Sequence, residues 1–492
     1  MTLNSTDNPP QVAARPEDEM LSIGANIVYG LQHILTMYGG IVAVPLIVGQ
    51  AAGMNPADIG LLITASLFAG GVATILQTIG IPFFGCQLPL VQGVSFAGVA
   101  TMVAISGNGG IQAILGAVIT ASFIGLLISP LVSRITRYFP PLVAGIVITT
   151  IGLTLMPVAG RWAMGGNSKA EDFGSVANIS LAAVTLAFVL LLSKIGNATI
   201  SRLSILLALV IGTAIAYATG MTNFSQVTNG AVFALPSIFH FGWPTFSVAA
   251  TVSMTIVVLV ILVETSADIF AVAEIVDTKV DSRRLGDGLR ADMLSSMLAP
   301  LVGSFTQSAF AQNVGLVAVT GVKSRYVVAT GGLILLTLSL FPVIGRVVAA
   351  IPPPVLGGAG IVLFGTVTAS GIRTLAKVEY ANNMNLIIVA TSIGFGTLPI
   401  VLPTFYHQFP GWVETIFHSG ISSSAIMAIM LNILFNHFTV GNSDQQSVFA
   451  AGTERSIRYK DIALMQDGDH FRGGKLYDAE GNELKLIASD GH

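Results

Sequence analysis

Residues 255–275 read TIVVLVILVETSADIFAVAEI, an apolar run interrupted by acids at Glu264 and Asp268, with a third acid, Glu274, near its end. Nine uncharged residues precede Glu264, and Asp268 follows one helical turn later. Since residues four apart share a helix face, both carboxylates are predicted on one face. A charged group at mid-bilayer costs at least about 2.5–3.5 kcal/mol on insertion scales and usually marks a substrate or proton path. We therefore predict a functional pair; the alternative is a structural carboxylate bonded to backbone or to Thr265 and Ser266.

The composition of the chain indicates a polytopic membrane protein. Of 492 residues, 53% are hydrophobic and 10% are charged. Soluble domains carry about 25% charged residues, so this chain has too few to cover a water-facing surface. The net charge of −3 offers no basic field for nucleic acid, and the single cysteine, Cys86, excludes an intrachain disulfide. The polar, acidic start is unlike a cleavable signal peptide, so the first membrane helix is expected to direct insertion.

Apolar stretches predict an all-α chain with fourteen membrane crossings. A spanning helix needs about 20 mostly apolar residues. The clear candidates are 24–49, 57–80, 110–132, 141–158, 178–194, 203–220, 248–275, 326–346, 353–373, 383–400 and 416–437. Three further stretches are apolar but short or broken, namely 88–106, 286–305 and 308–321.

Loop charges predict the orientation, because Lys and Arg are enriched in cytoplasmic loops. With both termini inside, the inner loops hold Arg134, Arg137, Lys194, Arg202, Lys279, Arg283, Arg284, Arg290, Lys323, Arg325, Arg373 and Lys377. The outer loops hold only Arg161, Lys169 and Arg346. Cytoplasmic termini and an even number of spans are therefore expected. Asp268 then lies nearer the cytoplasmic loop than Glu264 and is expected to be partly solvated.

Two short glycine-bearing stretches suggest that the chain has two related halves. LVQGVSFAGVAT (90–101) and FAQNVGLVAVTG (310–321) align Gln92 with Gln312 through a shared Gln-x-Val pattern. Interrupted segments at matching places in two halves are typical of a transporter's binding site.

The second of these stretches carries two adjacent amides, Gln312 and Asn313. An amide offers both donors and an acceptor, which suits a planar ligand edge with a carbonyl and an N–H. Gly315 allows close approach of the backbone. The alternative is that the amides bond to a neighbouring helix.

Three other residues have two interpretations each. Asp292 is either part of a proton path with Glu264 and Asp268 or a helix-start carboxylate. His33, in the first span, is more often a packing element than a ligand. Phe96 could stack on a flat ring, although phenylalanine is common in this chain, with 26 copies.

Enzyme and metal motifs are absent from the sequence. There is no H-E-x-x-H, G-x-S-x-G or Walker pattern, and no Cys/His cluster has metal-ligand spacing. We therefore expect neither an enzyme nor a bound metal or cofactor.

Six motifs spread over the membrane region match one known family. They are GLQHILTMYGG (30–40), QLPLVQGVSFA (87–97), VETSAD (263–268), GLRAD (288–292), QNVGLVAVTG (312–321) and IPPPVLGGAGIVLFG (351–365). The fifth resembles the signature of the nucleobase–ascorbate transporters, a nucleobase:cation symporter type. In that signature Gln or Glu is followed by Asn, any residue, Gly, four variable residues, Thr, and then Arg, Lys or Gly.

The resemblance implies a specific architecture. Members have fourteen segments in two inverted repeats of seven, and short extended stretches in segments 3 and 10 meet near the membrane middle. Segments 1–4 and 8–11 form a core domain, and segments 5–7 and 12–14 form a gate domain through which members dimerise. The corresponding ranges are 1–22 (cytoplasmic tail), 23–132 and 247–346 (core), 133–246 and 347–440 (gate) and 441–492 (cytoplasmic tail).

The resemblance also implies roles for individual residues. The substrate-binding residues would be Glu264, Gln312, Phe96, Asn313 and Gly315, with Glu264 and Gln312 as direct ligands of the base. Proton coupling or support would fall to Asp268, Asp292 and His33.

The first signature position bears on the substrate class. Gln312 favours an oxidised purine, because uracil members of the family generally have Glu there. The combination of QNV at 312–314 with Gly321 does not distinguish xanthine from uric acid as the substrate. The expected function is proton-coupled import of such a base by a lipid-embedded homodimer in the cell membrane. The alternatives are a uracil or other nucleobase permease, an anion transporter of similar fold, and a channel.

Overall fold

A computed structural model describes residues 15–131, 141–222, 224–225, 227, 230–380 and 383–438, and three short strands beyond residue 469. The chain forms two compact units, Met1–Val440 and Gly441–His492. In the second, antiparallel strands β3 (His470–Arg472), β4 (Lys475–Tyr477) and β5 (Glu483–Leu484) form one sheet. Arg134 and Arg137 lie outside the described residues.

The first half of the large unit is built from helices and one short strand. The elements are α1 (Ile23–Ala51), α2 (Pro56–Ile79), β1 (Gln92–Val94), α3 (Val99–Ile128), α4 (Pro141–Ala163), α5 (Val176–Ile195), α6 (Ala198–Arg202) and α7 (Ser204–Ala218). Single 3₁₀ turns span Pro16–Asp18, Phe96–Gly98 and Ser129–Leu131.

The second half repeats this order of long helices and a short strand. The elements are α8 (Val248–Val276), α9 (Ser282–Leu298), β2 (Gln307–Ala309), α10 (Ala311–Thr320), α11 (Arg325–Ser339), α12 (Pro342–Ala349), α13 (Pro353–Leu375), α14 (Asn383–Val401), α15 (Gly411–Phe417) and α16 (Gly420–Asn432). A 3₁₀ turn spans Ala299–Val302, and a π-helical turn, Ile433–His437, follows α16.

Long apolar helices establish a multi-pass membrane protein. Within the described ranges, eight helices are long and apolar enough to cross a membrane, or nine if α11 and α12 form one bent span. The predicted helix at 326–346 is wrong as a single element, because α11 and α12 meet at a bend of 82°. Pro342 begins α12, and its missing N–H and fixed φ favour a helix start there. The count of fourteen crossings stays a prediction.

Two predicted segments, 88–106 and 110–132, overlap one kinked helix. α3 covers the end of the first segment and most of the second, and it consists of two helical parts joined at a non-helical Gly110 with φ 64°. Glycine adopts positive φ without the steric cost that a Cβ would bring, so the kink falls at this residue.

The short strands β1 and β2 pair antiparallel inside the protein. Gln92 lies opposite Ala309, Gly93 opposite Ser308, and Val94 opposite Gln307. Gln92 and Gln307 thus each begin a strand, whereas Gln312 lies on α10. The proposed alignment of Gln92 with Gln312 is therefore wrong, because a shared Gln-x-Val pattern carries no information on strand position.

The helices form two packing groups. In one, α11 packs against α1 and α2, and α3 packs against α8 and α9. In the other, α13 packs against α4 and α5, and α14 packs against α4 and α16. Glycine permits close approaches between helices: a Cβ on Gly345 would lie 2.2 Å from the Gly60 carbonyl oxygen, and one on Gly357 would lie 2.2 Å from the Ala163 nitrogen.

Residues 15–19 form an amino-terminal clasp on the first group. The fully buried Glu17 accepts a 2.5 Å bond from Arg284, and Asp18 accepts a 2.6 Å bond from Arg325. Burial raises the pKa of Asp18, but hydrogen bonds from Arg325 and Arg15 outweigh it and hold that pKa below its usual value. The clasp therefore ties the start of α9 to the start of α11.

Candidate functional site

Asp292 lies at the centre of a buried network that joins three helices. Thr265 of α8 donates a 2.7 Å bond to Asp292 Oδ2, and Gln77 of α2 donates a 3.3 Å bond to Oδ1. Asp292 is 1% exposed. The helix-start alternative is wrong, because α9 is capped by Asp281 and Asp292 lies well inside the helix. Sequence reasoning missed Gln77, since nothing local marks the partner of a residue so distant in the chain.

The same helices hold strand β2. The Gln307 N–H donates to Ser296 Oγ at 2.7 Å, and Ser296 Oγ donates to the Gln307 carbonyl at 3.3 Å. The Ala309 N–H lies 3.5 Å from Thr265 Oγ1. One hydroxyl, that of Thr265, therefore contacts both the Asp292 carboxylate and the strand that leads into α10.

Glu264, next to Thr265, has a different environment. It is partly exposed and lines a narrow gap with Val147 and Ile148 of α4. Thr265 donates to Asp292, and Ser266 donates to the Leu262 carbonyl at 2.6 Å. Neither hydroxyl bonds to Glu264. The alternative of a structural carboxylate held by Thr265 and Ser266 is therefore excluded. Across the described ranges the Glu264 carboxylate has no hydrogen-bond partner, so it is free to accept one.

Asp268 is more enclosed than the sequence indicated. It is 9% exposed, and its Oδ2 atom is buried without a hydrogen-bond partner among the described residues. The expectation of partial solvation is wrong, because the neighbouring helices cover this turn of α8. A buried carboxylate oxygen without a partner is costly, which favours a role over passive packing.

His33 and Asn313 are partners. The Asn313 amide nitrogen lies 3.1 Å from His33 Nδ1 and donates to the His33 carbonyl at 2.9 Å. Both residues are buried, at 2% and 1% exposure. The alternative prediction, an amide bonded to a neighbouring helix, is therefore confirmed for Asn313, which bonds to α1. The same contact fixes the His33 side chain.

Two further signature residues, Gln312 and Gly315, face the opposite way from Asn313 on α10. Gln312 and Gly315 are exposed, and a Cβ on Gly315 would meet no atom within 4 Å. Residues three apart share a helix face. One open face therefore presents an amide beside a bare stretch of backbone, where a flat molecule can approach closely.

An aromatic cluster connects the two packing groups beside this region. The ring centroid of Phe96 lies 6.5 Å from that of Phe310 and 6.1 Å from that of Phe364 on α13. The Phe364 ring is in turn 6.3 Å from Trp162 on α4. The sequence marked Phe96 but missed Phe364 and Trp162, which reach the cluster only through tertiary packing.

Strand-interrupted helices, buried carboxylates and a free amide face together define a class of protein, a membrane transporter whose site lies at broken helices. No group of three or more potential metal-ligating His, Cys, Asp or Glu side chains occurs within the part of the chain that the structure covers. A sequence profile described as "Permease family" matches residues 24–405. The chain belongs to this family, the nucleobase–ascorbate transporters.

Curated relatives cover nearly the whole membrane region. The uric acid transporter UacT of Escherichia coli strain K12 is 39% identical, over 86% of this chain and 89% of its own length. The xanthine permease of Bacillus subtilis strain 168 is 37% identical, over 88% and 99%. The uric acid permease PucK of the same strain is 39% identical, over 82% and 94%.

Solved structures are similar in fold alone. The transmembrane domain of the cyanobacterial bicarbonate transporter BicA has a TM-score of 0.55 at 13% identity, covering 83% of this chain and 97% of that one. The murine anion transporter Slc26a9, in an inward-facing state, has a TM-score of 0.58 at 14% identity, covering 92% and 74%.

Proposed function

We propose that the protein imports an oxidised purine base, xanthine or uric acid, by proton symport. The free carboxylate of Glu264, with the open face of Gln312 and Gly315, is the observation that carries this proposal. The relatives named as uric acid and xanthine permeases support the purine class, as does glutamine at the first signature position.

The chemistry of the side chains fits such a base. An oxidised purine presents ring N–H donors and carbonyl acceptors along its edges. Glu264 accepts from an N–H, and the Gln312 amide both donates to a carbonyl and accepts from an N–H. Phe96 provides an aromatic face for the ring. Asn313, held by His33, acts in this scheme by fixing α10 rather than by direct contact.

Proton coupling is assigned to the buried acids. Asp292 and Asp268 lie on the two helices that hold β2, and Thr265 connects Asp292 to that strand. A change in the charge of Asp292 would alter the Thr265 bond and hence the support of the strand before α10. His33 supports the same helix from α1.

The movement is assigned to one packing group sliding or rocking against the other. Corresponding helices in the two halves support seven-plus-seven inverted repeats: α1 and α8 both have 29 residues, and α4 and α13 both have 23. The two groups correspond to the core and gate domains, and Glu264 lies where α8 meets α4. We assign homodimerisation to the gate and both termini to the cytoplasmic side of the cell membrane.

A small inorganic anion fits the site poorly, despite the fold shared with anion transporters. It lacks the ring N–H groups that urate and xanthine offer to Glu264 and Gln312, and an ionised Glu264, Asp268 or Asp292 would oppose its charge. The likeness in fold therefore does not extend to the substrate.

Uptake by cells producing Glu264→Gln tests the proposal. We expect proton-dependent uptake of labelled xanthine and urate to be lost, because the neutral amide oxygen accepts from an N–H without the added strength of an ionised carboxylate, and the amide cannot ionise. The matched control is Glu274→Gln, an exposed acid on the same helix, which should transport normally. Undiminished uptake in Glu264→Gln contradicts the assignment. Competition by urate, hypoxanthine, guanine and uracil, with and without a protonophore, identifies the substrate and the coupling ion.

A further inference from the structure

Residues 230–247, the outer strap, join α7 to α8 in a conformation that is neither helix nor strand. Their sequence, GAVFALPSIFHFGWPTFS, contains no Asp, Glu, Lys or Arg. Six large apolar side chains are nonetheless 60–75% exposed: Val232, Phe233, Leu235, Ile238, Trp243 and Phe246. An apolar surface of this kind rarely faces water without a function.

The strap is bonded to the protein on its other side. The Phe239 N–H donates to the Leu301 carbonyl at 2.8 Å, and the Ala234 N–H donates to the Leu340 carbonyl at 3.0 Å. Gln112 donates through its side chain to the Phe241 carbonyl at 2.9 Å. These contacts run across three elements of the first packing group. The exposed side chains are therefore held outward by a fixed backbone.

Two aromatic side chains of the outer strap form a stacked pair. The rings of Phe239 and Trp243 stack at 4.4 Å with an interplanar angle of 23°. Phe239 has a positive φ of 56°, an unusual conformation for a bulky residue, so the turn that brings the rings together is defined by the fold. The Trp243 side chain remains 75% exposed beside its partner.

The position of the strap indicates what covers it. It ends at α8, whose first exposed residues, Val248 and Val252, continue the same apolar surface onto a membrane-spanning helix. An irregular backbone cannot lie in the hydrocarbon region, because its polar groups need partners there. Tryptophan is enriched where headgroups meet acyl chains. At that level the backbone of the strap can bond to water and headgroups while its apolar side chains contact lipid.

We propose that the outer strap is an interfacial anchor, with Trp243, Phe246 and Ile238 inserted at the boundary between phospholipid headgroups and acyl chains. Its partner is the lipid of the leaflet at the end where α7 stops and α8 starts. The anchor sets the depth at which this end of the first packing group lies in the membrane. This role does not depend on which substrate the protein carries.

Depth-dependent fluorescence quenching tests the anchor in liposomes. The chain has three tryptophans, so Trp162→Phe with Trp412→Phe leaves Trp243 as the sole emitter. Apolar faces of interfacial segments insert about 5–10 Å into the headgroup–acyl boundary. We expect strong quenching by lipids with a nitroxide near the headgroup, weaker quenching by a nitroxide near the chain end, and little quenching by aqueous iodide.

The control replaces all three tryptophans by phenylalanine and adds Lys169→Trp, an exposed position in the polar turn between α4 and α5. This tryptophan should be quenched by iodide and hardly by lipid. Iodide quenching of Trp243 equal to this control would overturn the proposal. Quenching by neither agent would also overturn it, since a protein partner would then cover the strap.

A spin label gives a second measurement that keeps the native tryptophans. Cys86 is fully buried, so an added Ile238→Cys provides the reactive thiol. We expect the nitroxide at 238 to be relaxed by oxygen, which concentrates in lipid, more than by an aqueous nickel chelate. The reverse order contradicts the anchor.

Discussion

Replacing Thr265 by valine removes one hydroxyl from the acidic network while keeping the side-chain shape. Thr265 is fully buried, and its hydroxyl donates to Asp292 at 2.7 Å. In Thr265→Val, Asp292 retains only the longer 3.3 Å bond from Gln77 among those described. The Ala309 N–H also loses the oxygen that it faces at 3.5 Å.

The size of the effect follows from the kind of bond that is lost. A hydrogen bond contributes about 0.5–1.5 kcal/mol between neutral groups and about 1.5–3 kcal/mol when one group is charged. Because Asp292 is proposed to change its charge during transport, both cases apply, and at about 1.4 kcal/mol per factor of ten they correspond to a loss of roughly 2- to 150-fold in any step that needs this contact. If the proposed coupling is right, we expect transport efficiency to fall in that range.

The assay is the initial rate of labelled xanthine and urate uptake in proteoliposomes with an imposed proton gradient. Thr265→Ser keeps the hydroxyl and should retain most activity. Ser266→Ala removes the adjacent hydroxyl, which bonds only to the Leu262 carbonyl within α8 among the described contacts, and should transport normally. Normal transport by Thr265→Val, or equal losses in Thr265→Val and Ser266→Ala, would contradict the proposed role of the Thr265 hydroxyl.

Three further predictions concern the support of the site. Asn313→Leu should lower the free energy of unfolding by roughly 1–3 kcal/mol, because the buried His33 ring nitrogen loses its amide partner and the His33 carbonyl loses a bond from outside α1; thermal unfolding in detergent measures it. Gly345→Ala should destabilise by a similar amount, roughly 1–3 kcal/mol, since its Cβ would meet a backbone oxygen at 2.2 Å; an unchanged melting temperature would contradict this. Because the pKa of Asp18 is lowered in the folded state, Asp18 stabilises the protein above its usual pKa of 3.8, and this contribution is lost as the pH falls through the folded-state pKa. The difference in melting temperature between the wild type and Asp18→Asn should therefore vanish in strong acid. In an Arg325→Gln background the difference should persist only if Arg15 suffices as the partner of Asp18.

Local patterns in the sequence predicted much of the helical framework. The stretch 248–275 corresponds to α8, Val248–Val276, because a long apolar run leaves few alternatives to a helix. Glu264 and Asp268 lie on that helix, as their spacing requires. The break between α11 and α12 was missed, since a single proline within an apolar run is compatible with either a kink or a new helix.

Contacts between distant residues could not be read from the sequence. His33 and Asn313 are 280 positions apart, and neither carries a local mark of the other. Gln77 likewise gives no sign that it will meet Asp292. Hydrophobic periodicity specifies which face of a helix is buried, but the partner on the facing helix depends on the packing of the whole group.

The pairing of β1 with β2 also has a consequence for how the protein is made. Thr74 of α2 bonds the Gln92 N–H and carbonyl, but β1 has no strand partner until β2, roughly 200 residues later, has been synthesised; at about 5–20 residues per second this takes on the order of 10–40 s. During that time the unpaired strand has to be sheltered, by the insertion machinery or by temporary contacts within the first half. We therefore expect this chain to fold slowly and to finish folding only after β2 has been made. A product that ends at half length should not reach the folded state alone.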